Sequence, residues 1–188
     1  MRKMVLGAAI AMVSVSAIAA ESYQIDPFHT YPNFTINHLG FSTMHGRFDK
    51  TEGKLTIDWE KNTGTVDIVI DAESISTGMQ KRDDHLRSPD FLNTAEFPDI
   101  TYKSTNVTIN GDKSAKVDGD LTIMGVTKPV TLNVKRINCG DHPMKQGTYI
   151  CGFDATGNIK RSDFGMTYAL PAVGDEMELF IEVEAERQ

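Results

Sequence analysis

Apolar and polar residues alternate with a period of two through most of this 188-residue chain. In one segment, for example, Val66, Ile68 and Ile70 fall on one side while Asp67 and Asp71 fall on the other. Successive side chains of a strand point to opposite faces, so this pattern is typical of half-buried antiparallel strands. About eight or nine such segments, mostly joined by short turns, indicate an all-β domain built as a barrel or a sandwich.

The alternation changes phase within one long segment. Its apolar positions are even at Met44 and Phe48 but odd at Leu55 and Ile57. Because one extra residue moves every later side chain to the other face, we predict a turn or a bulge within residues 49–53.

The alternation stops in residues 74–95, where charged residues crowd together before a proline. Ser88 can cap a helix and Pro89 suits the first helical position, while the residue before Pro98 is disfavoured in a helix. We therefore predict two short helical pieces, inserted into a chain that is otherwise all β.

The N-terminus has the parts of a secretory signal peptide. Arg2 and Lys3 precede a stretch of apolar and small residues that ends in Ala17-Ile18-Ala19, a sequence that suits signal peptidase. We predict cleavage after Ala19, with cleavage after Ala20 as the alternative. A retained anchor is the other possibility, but the stretch is short for a membrane span of about 20 residues.

Removal of residues 1–19 would leave one domain, residues 20–188, in the periplasm. This length suits a single domain with a substantial core. The formal net charge of the whole chain is −7. An acidic surface argues against nucleic acid and anionic membrane surfaces as general partners, and the absence of a second long apolar run predicts that the mature protein is not membrane-integral.

Cys139 and Cys151 flank a candidate hairpin loop, in a chain that is expected to reach an oxidising compartment. This arrangement favours a disulfide across the hairpin. Against it, Cys151 shares a face with Tyr149, whereas Cys139 is out of phase with the apolar positions before it. A bulge near Asn138 would remove the mismatch, so both the bridge and two free thiols stay open. A metal site is not expected, because His142 alone cannot complete a tetrahedral set.

Three stretches resemble the YceI-like family: NFTINHLGFSTMHGRF at residues 33–48, RDDHLRSPDFLNTAEFPDITYKS at 82–104 and GDLTIMGVTKPVTL at 119–132. The resemblance extends over essentially the whole predicted mature chain, in the family's order. It implies an eight-stranded antiparallel lipocalin-like barrel, with a short helical insertion and a hydrophobic pore that holds a long polyisoprenoid or similar lipid. It also implies a periplasmic location for secreted members and a homodimer.

The candidate ligand-binding residues are polar at the ends of the pore and apolar along it. His38 and His45 could line a polar end, although a histidine beside apolar strand residues is more often a hydrogen-bonded structural group. Arg82, His85 and Arg87 could stand at the mouth near a headgroup, or form ion pairs within a helix. The apolar candidates, each of which could also be plain core, are Phe34, Ile36, Phe41, Met44, Phe48, Ile68, Leu121, Leu132 and Phe153.

The favoured function is non-enzymatic binding of a long-chain lipid, which is sequestered or carried in the pore. The sequence has no H-E-x-x-H helix, no nucleophile elbow and no glycine-rich phosphate loop, so we expect no catalytic residue, metal or cofactor. Two alternatives remain. One is an enzyme that acts on an amphipathic substrate through His38, His45 and His85. The other is a stress-related interaction protein whose barrel packs only on itself.

Overall fold

The computed structural model describes residues 20–188, so the predicted signal peptide lies outside the described residues. Within residues 20–188, eleven strands form one antiparallel sheet, and a single α-helix interrupts their succession. The helix α1 spans Gln80–Arg87, and short 3₁₀ turns span Ala72–Ser74 and Arg161–Phe164. The strands are β1 (Glu21–Ile25), β2 (Tyr31–His38), β3 (Ser42–Phe48), β4 (Thr51–Asp58), β5 (Thr63–Asp71), β6 (Ile75–Ser76), β7 (Asp99–Asn110), β8 (Ser114–Ile123), β9 (Val126–Asp141), β10 (Tyr149–Lys160) and β11 (Val173–Arg187).

The eleven strands close into a barrel with eight positions around its circumference. Strand β11 pairs first with β2 and then with β1, so β1 and β2 are two halves of one barrel strand. The halves β3 and β4 pair with β2 and β1, and β6 and β5 pair in turn with β3 and β4. Single strands β7 to β11 complete the ring, which closes where β11 meets β1. The predicted eight-stranded antiparallel barrel is confirmed.

The predicted irregularity within residues 49–53 is confirmed as a break between β3 and β4. The backbone N–H groups of Asp49 and Lys50 donate to the carbonyl and the hydroxyl of Ser74, both at 3.1 Å. Gly53 follows with φ +149°, and a Cβ atom there would lie 2.3 Å from the carbonyl oxygen of Asp67. The chain therefore needs a glycine at this bend, because a side chain would collide with the neighbouring strand.

The second of the two predicted helical pieces is absent. Ser88 ends α1 rather than starting a new helix, and a series of turns leads from it to β7. The N–H groups of Leu92 and Thr94 fold back onto the carbonyls of Leu86 and Arg87, both at 3.0 Å. These bonds satisfy carbonyls at the end of α1, and Leu92 becomes buried. Among residues 20–188, no helix is long and apolar enough to cross a bilayer.

Cys139 and Cys151 lie directly opposite each other on β9 and β10 and form a disulfide, with their Cα atoms 4.1 Å apart. The bulge predicted near Asn138 is instead at Lys135, which the pairing skips between Arg136 and Val134. The extra residue at position 135 puts Cys139 in phase with Cys151. The bulge therefore corrects the phase of Cys139, but it lies farther from that cysteine than expected.

Tyr102 on β7 ties three adjacent strands together. Its ring lies across Gly119 of β8, and its hydroxyl shares one proton between the carbonyls of Val117 at 3.1 Å and Val130 at 3.0 Å. Burial raises the pKa of the Tyr102 phenol, so the hydroxyl remains a donor. The absence of a side chain at Gly119 creates the space for this cross-strand contact.

Candidate ligand-binding cavity

The barrel encloses an apolar cavity of about 460 Å³. Its wall comes from the inward-facing positions of the strands, because alternate side chains of each strand point into the barrel. Strand β11 shows the principle: Met177, Leu179, Ile181 and Val183 line the cavity, while the residues between them face outward.

The wall formed by β2 and β3 depends on a close contact between an aromatic residue and a glycine. Phe34, Ile36 and His38 share the inward face of β2, and Met44 lies opposite Ile36 on β3. Gly46 lies opposite Phe34, and a Cβ atom at Gly46 would be only 2.4 Å from the Phe34 ring. The glycine therefore lets the ring lie flat against the wall instead of filling the cavity.

One end of the cavity is open, and we call it the mouth. The lining residues His38, His45, His85 and Tyr168 are exposed there. His85, Phe91 and Tyr168 pack edge to face around one side of the mouth, with ring centres 5.1 to 5.3 Å apart. This rim is aromatic and has polar nitrogen atoms, so it can contact both an apolar tail and a polar headgroup.

Glu21 forms the centre of a hydrogen-bond network at the opposite end. Its carboxylate accepts from the Tyr23 hydroxyl at 2.6 Å, from Trp59 Nε1 at 2.9 Å and from Arg187 at 2.9 Å. Hydrogen bonding by Tyr23, then by Trp59 and Arg187, lowers the pKa of the Glu21 carboxyl below its ordinary value, against the opposing effect of partial burial. The network links β1, the end of β4 and β11, so it fastens the seam of the barrel.

Arg82 lines the cavity, but its guanidinium is already held by the segment before α1. Nε donates to the Thr77 hydroxyl and Nη2 to the Thr77 carbonyl, both at 2.6 Å. The buried carboxylate of Asp83 accepts from the Thr77 N–H at 2.9 Å and from its hydroxyl. Arg82 and Asp83 thus fix the entry to α1, and through it the position of the mouth.

Arg87 does not lie on the cavity wall. It donates to the carbonyls of Glu73 at 2.7 Å and Ile75 at 3.0 Å, and it forms an ion pair with Asp84 at 3.1 Å. Asp84 and Arg87 are three residues apart on α1, which is the spacing expected by the alternative interpretation, ion pairs within a helix. Arg87 anchors the helix to the edge of the barrel, because its long side chain reaches back across the loop before α1.

The structure brings most of the predicted ligand-binding residues to one cavity. Phe41 is the other exception: it lies in the turn between β2 and β3, past the end of the alternation, and its side chain is 91% exposed. The predicted residues that line the cavity are Phe34, Ile36, His38, Met44, His45, Phe48, Ile68, Arg82, His85, Leu121, Leu132 and Phe153.

The three histidines proposed for an enzyme line the same cavity without forming a catalytic pair. Within the described part of the chain, neither His38 nor His45 forms a side-chain hydrogen bond, so neither is the hydrogen-bonded structural group of the alternative interpretation. His85 Nε2 lies 2.8 Å from Asp90, an interaction that orients the ring at the rim.

A possible metal-ligand group lies away from the cavity, where Asp26, His29 and Glu184 bring three ligand atoms within 4.8 Å. Asp26 and His29 are already paired at 2.7 Å, and this hydrogen bond raises the pKa of His29. The group therefore has a structural explanation as an ion pair.

Sequence analysis missed three buried polar residues of the cavity wall: Thr30, Thr51 and Arg161. Arg161 is 2% exposed and donates to the carbonyls of Gly174, Met166 and Val173, at 2.7, 2.8 and 3.1 Å. The Thr51 side chain is also 2% exposed, and its hydroxyl has no hydrogen-bond partner among residues 20–188. No local pattern marks any of the three, because the residues that bury them belong to other loops and strands of the barrel.

Comparison with known proteins agrees with the resemblance seen in the sequence, and the match extends over nearly the whole domain. A family model described as the YceI-like domain matches residues 23–185. The chain is 43% identical to the protein YceI of Escherichia coli O157:H7 over 194 residues, which covers 100% of both chains. A crystal structure of the Campylobacter jejuni YCEI protein superposes with a TM-score of 0.70 at 31% identity, covering 81% of this chain and 90% of that one.

A more distant solved structure shares the fold. It is a polyisoprenoid binding domain from Saccharophagus degradans, implicated in plant cell wall breakdown. The TM-score is 0.64 at 19% identity, and the match covers 88% of this chain and 98% of that one.

Proposed function

Since the chain belongs to the YceI-like family, we propose that it binds a polyisoprenoid or similar long-chain amphiphile in the barrel cavity, without catalysing a reaction. The observation that carries the proposal is an apolar cavity of about 460 Å³ that opens at an aromatic and histidine-containing rim. Each methylene transferred from water into such a cavity contributes about 0.8 kcal/mol, so a tail of several isoprene units would be held tightly.

The polyisoprenoid class also agrees with the description of the Saccharophagus degradans domain. At 19% identity that likeness concerns the fold, so the chemistry of this cavity has to support the ligand class on its own. It does so through polarity: branched and aromatic side chains make up most of the wall, and the exposed polar lining residues His38, His45 and His85 lie at the mouth.

The cavity favours lipid binding over the two alternatives. A barrel that packs only on itself would fill its interior with its own side chains, as small barrels commonly do. An enzyme that uses His85 as a base would need a nucleophile within hydrogen-bond reach of the imidazole, and among residues 20–188 the only side-chain hydrogen-bond partner of His85 is Asp90. The enzyme hypothesis would regain support only if the protein turned over a substrate and the His85→Ala variant lost that turnover.

We further propose that the protein acts in the periplasm after removal of residues 1–19. Intact-mass measurement of the exported protein should give Ala20 or Glu21 as its first residue. A mass that includes Met1 would contradict this location.

The test of lipid binding uses Ile36→Trp, which adds bulk at the cavity wall without adding charge. Ile36 lies opposite Met44 on the inward face, so the indole should block a long tail at an overpacking cost of roughly 1–3 kcal/mol. Native mass spectrometry and organic extraction would measure the bound lipid, and circular dichroism would verify the fold.

The matched control is Val69→Trp, which places the same side chain on β5 at a position that is 40% exposed. We expect the control to carry a full complement of lipid and Ile36→Trp to carry little. A folded Ile36→Trp protein with its full complement would show that the cargo does not occupy this cavity.

A further inference from the structure

We propose that the mouth of the barrel docks onto the surface of an electrically neutral lipid bilayer. The docking surface consists of Leu39, Phe41, Met79 and Tyr168, and we call it the mouth surface. Its purpose rests on the proposed function, since a protein that takes up a long-chain lipid must meet the membrane that holds it. The docking itself can be tested separately.

The mouth surface collects large apolar side chains that the fold leaves in water. Phe41 is 91% exposed, Met79 51%, and Leu39 and Tyr168 are each 48% exposed. Single exposed apolar residues are ordinary, but several around one opening mark an interaction site. Aromatic side chains such as Phe41 and Tyr168 also suit the boundary between headgroups and acyl chains.

The barrel holds these residues in one place. The N–H of Leu39 donates to the carbonyl of Ala172 at 2.9 Å, which fastens the β2–β3 turn to the loop that carries Tyr168. The Tyr168 ring packs on His85 of α1 at 5.2 Å, and Met79 immediately precedes that helix. The surface is therefore formed before any partner arrives, and docking requires no folding step.

The charge pattern of the mouth surface indicates the chemistry of its partner. Charged residues make up 24% of the chain, yet residues 32–46 and 164–174 contain no Asp, Glu, Lys or Arg. These two segments supply Leu39, Phe41 and Tyr168. The two segments therefore offer no charge to an acidic or a basic partner, whereas a neutral bilayer interface requires none.

The position of the cavity favours a bilayer over a second protein. His38 and His85 line the cavity, and they adjoin Leu39 in sequence and Tyr168 in space, so the mouth surface lies beside the opening. A bilayer held against it would let a long apolar tail pass into the barrel without crossing water. A protein partner seated there would instead cover the entrance.

The first experiment places a tryptophan at the surface. Phe41→Trp is compared with Phe28→Trp, whose position is 78% exposed on the linker between β1 and β2. Trp59 belongs to the Glu21 network at the end opposite the mouth and contributes the same background to both variants. With phosphatidylcholine vesicles, we expect a blue shift and quenching by brominated acyl chains for Phe41→Trp only. Equal responses of the two variants, or no response of Phe41→Trp, would refute docking through the mouth.

The second experiment removes the surface. The double variant Leu39→Ser/Phe41→Ser should float with phosphatidylcholine vesicles at least about tenfold more weakly, since burial of one large apolar side chain alone provides a factor of roughly ten to a hundred. Met144→Ser is the control, because Met144 is 90% exposed on the hairpin between β9 and β10. Unchanged flotation of the double variant would contradict the proposal.

Cargo binding is measured separately with geranylgeraniol delivered in detergent, in the absence of vesicles. If the tryptophan of Phe41→Trp enters the vesicle bilayer but the protein binds no geranylgeraniol, docking is supported and the proposed cargo is refuted. If the protein binds geranylgeraniol but the tryptophan does not enter the bilayer, the proposed cargo is supported and docking is refuted. A blue shift of Phe41→Trp that rises with protein concentration and needs no vesicles would identify the surface as the interface of the homodimer, and would overturn bilayer docking.

Discussion

Substitution of Gly119 by alanine should destabilise the barrel, because the new methyl group would overlap Tyr102. An ideal Cβ atom at Gly119 lies 2.6 Å from Tyr102 Cζ, 2.7 Å from its hydroxyl oxygen and 2.8 Å from the backbone carbonyl oxygen of Lys103. Neither neighbour can move easily: the Tyr102 residue is 5% exposed, and the Lys103 carbonyl belongs to a paired strand. Overpacking of this kind costs roughly 1–3 kcal/mol.

Displacement of the Tyr102 ring would also break the hydrogen bond that its hydroxyl shares between Val117 and Val130. A buried hydrogen bond contributes about 1 kcal/mol, so the expected loss in the free energy of unfolding is about 2–4 kcal/mol in total. Urea denaturation followed by far-ultraviolet circular dichroism would measure it.

Two variants make this test specific. Gly140→Ala is the matched control, since Gly140 also lies in a strand and a Cβ atom there meets nothing within 4 Å. It should change the free energy of unfolding by less than about 0.5 kcal/mol. Tyr102→Phe removes only the hydroxyl, so Gly119→Ala should cost about 1 kcal/mol less in that background. A Gly119→Ala protein as stable as Gly140→Ala would refute the reasoning.

Three further changes have defined outcomes. Thr51→Val should raise the free energy of unfolding of the lipid-free protein by about 1 kcal/mol, because the buried hydroxyl has no partner among residues 20–188; a loss in a urea titration would show that a partner exists. Glu21→Gln should lower stability at pH 7, and its difference from the wild type should shrink as the pH falls. The folded-state pKa of Glu21 is lowered from 4.5, so the stabilisation is complete above that value and is lost through the lower folded pKa. Replacing Cys139 and Cys151 by serine should cost up to about 3 kcal/mol in chemical denaturation, given their separation of 12 residues, and should abolish any effect of reductant.

Where sequence reasoning succeeded, the information was local. Period-two alternation placed Phe34, Ile36 and Met44 on inward faces, because the pleat of a strand fixes the direction of each side chain. The change of phase before Leu55 predicted the break between β3 and β4 for the same reason. The motifs that resemble the YceI-like family supplied the choice of a barrel, which alternation by itself left open.

The segment after α1 shows how tertiary contacts overrode a local signal. Ser88 and Pro89 are suited to start a helix, but burial of Leu92 and bonds to the carbonyls that end α1 hold the chain in turns instead. Arg161 is a residue for which the local sequence has no signal at all. Its three carbonyl partners belong to the loop before β11 and to β11 itself, and no residue pattern near Arg161 predicts these contacts.

The sequence by itself determined which side chains face inward, through the two-residue period of each strand. Whether those side chains meet each other or surround a space was decided only by the tertiary structure. The interior of a barrel depends on how many strands close the ring and on their tilt and stagger, and these are properties of pairings such as β11 with β1, whose residues stand at opposite ends of the domain. The cavity, its mouth and the surface around it follow from that closure.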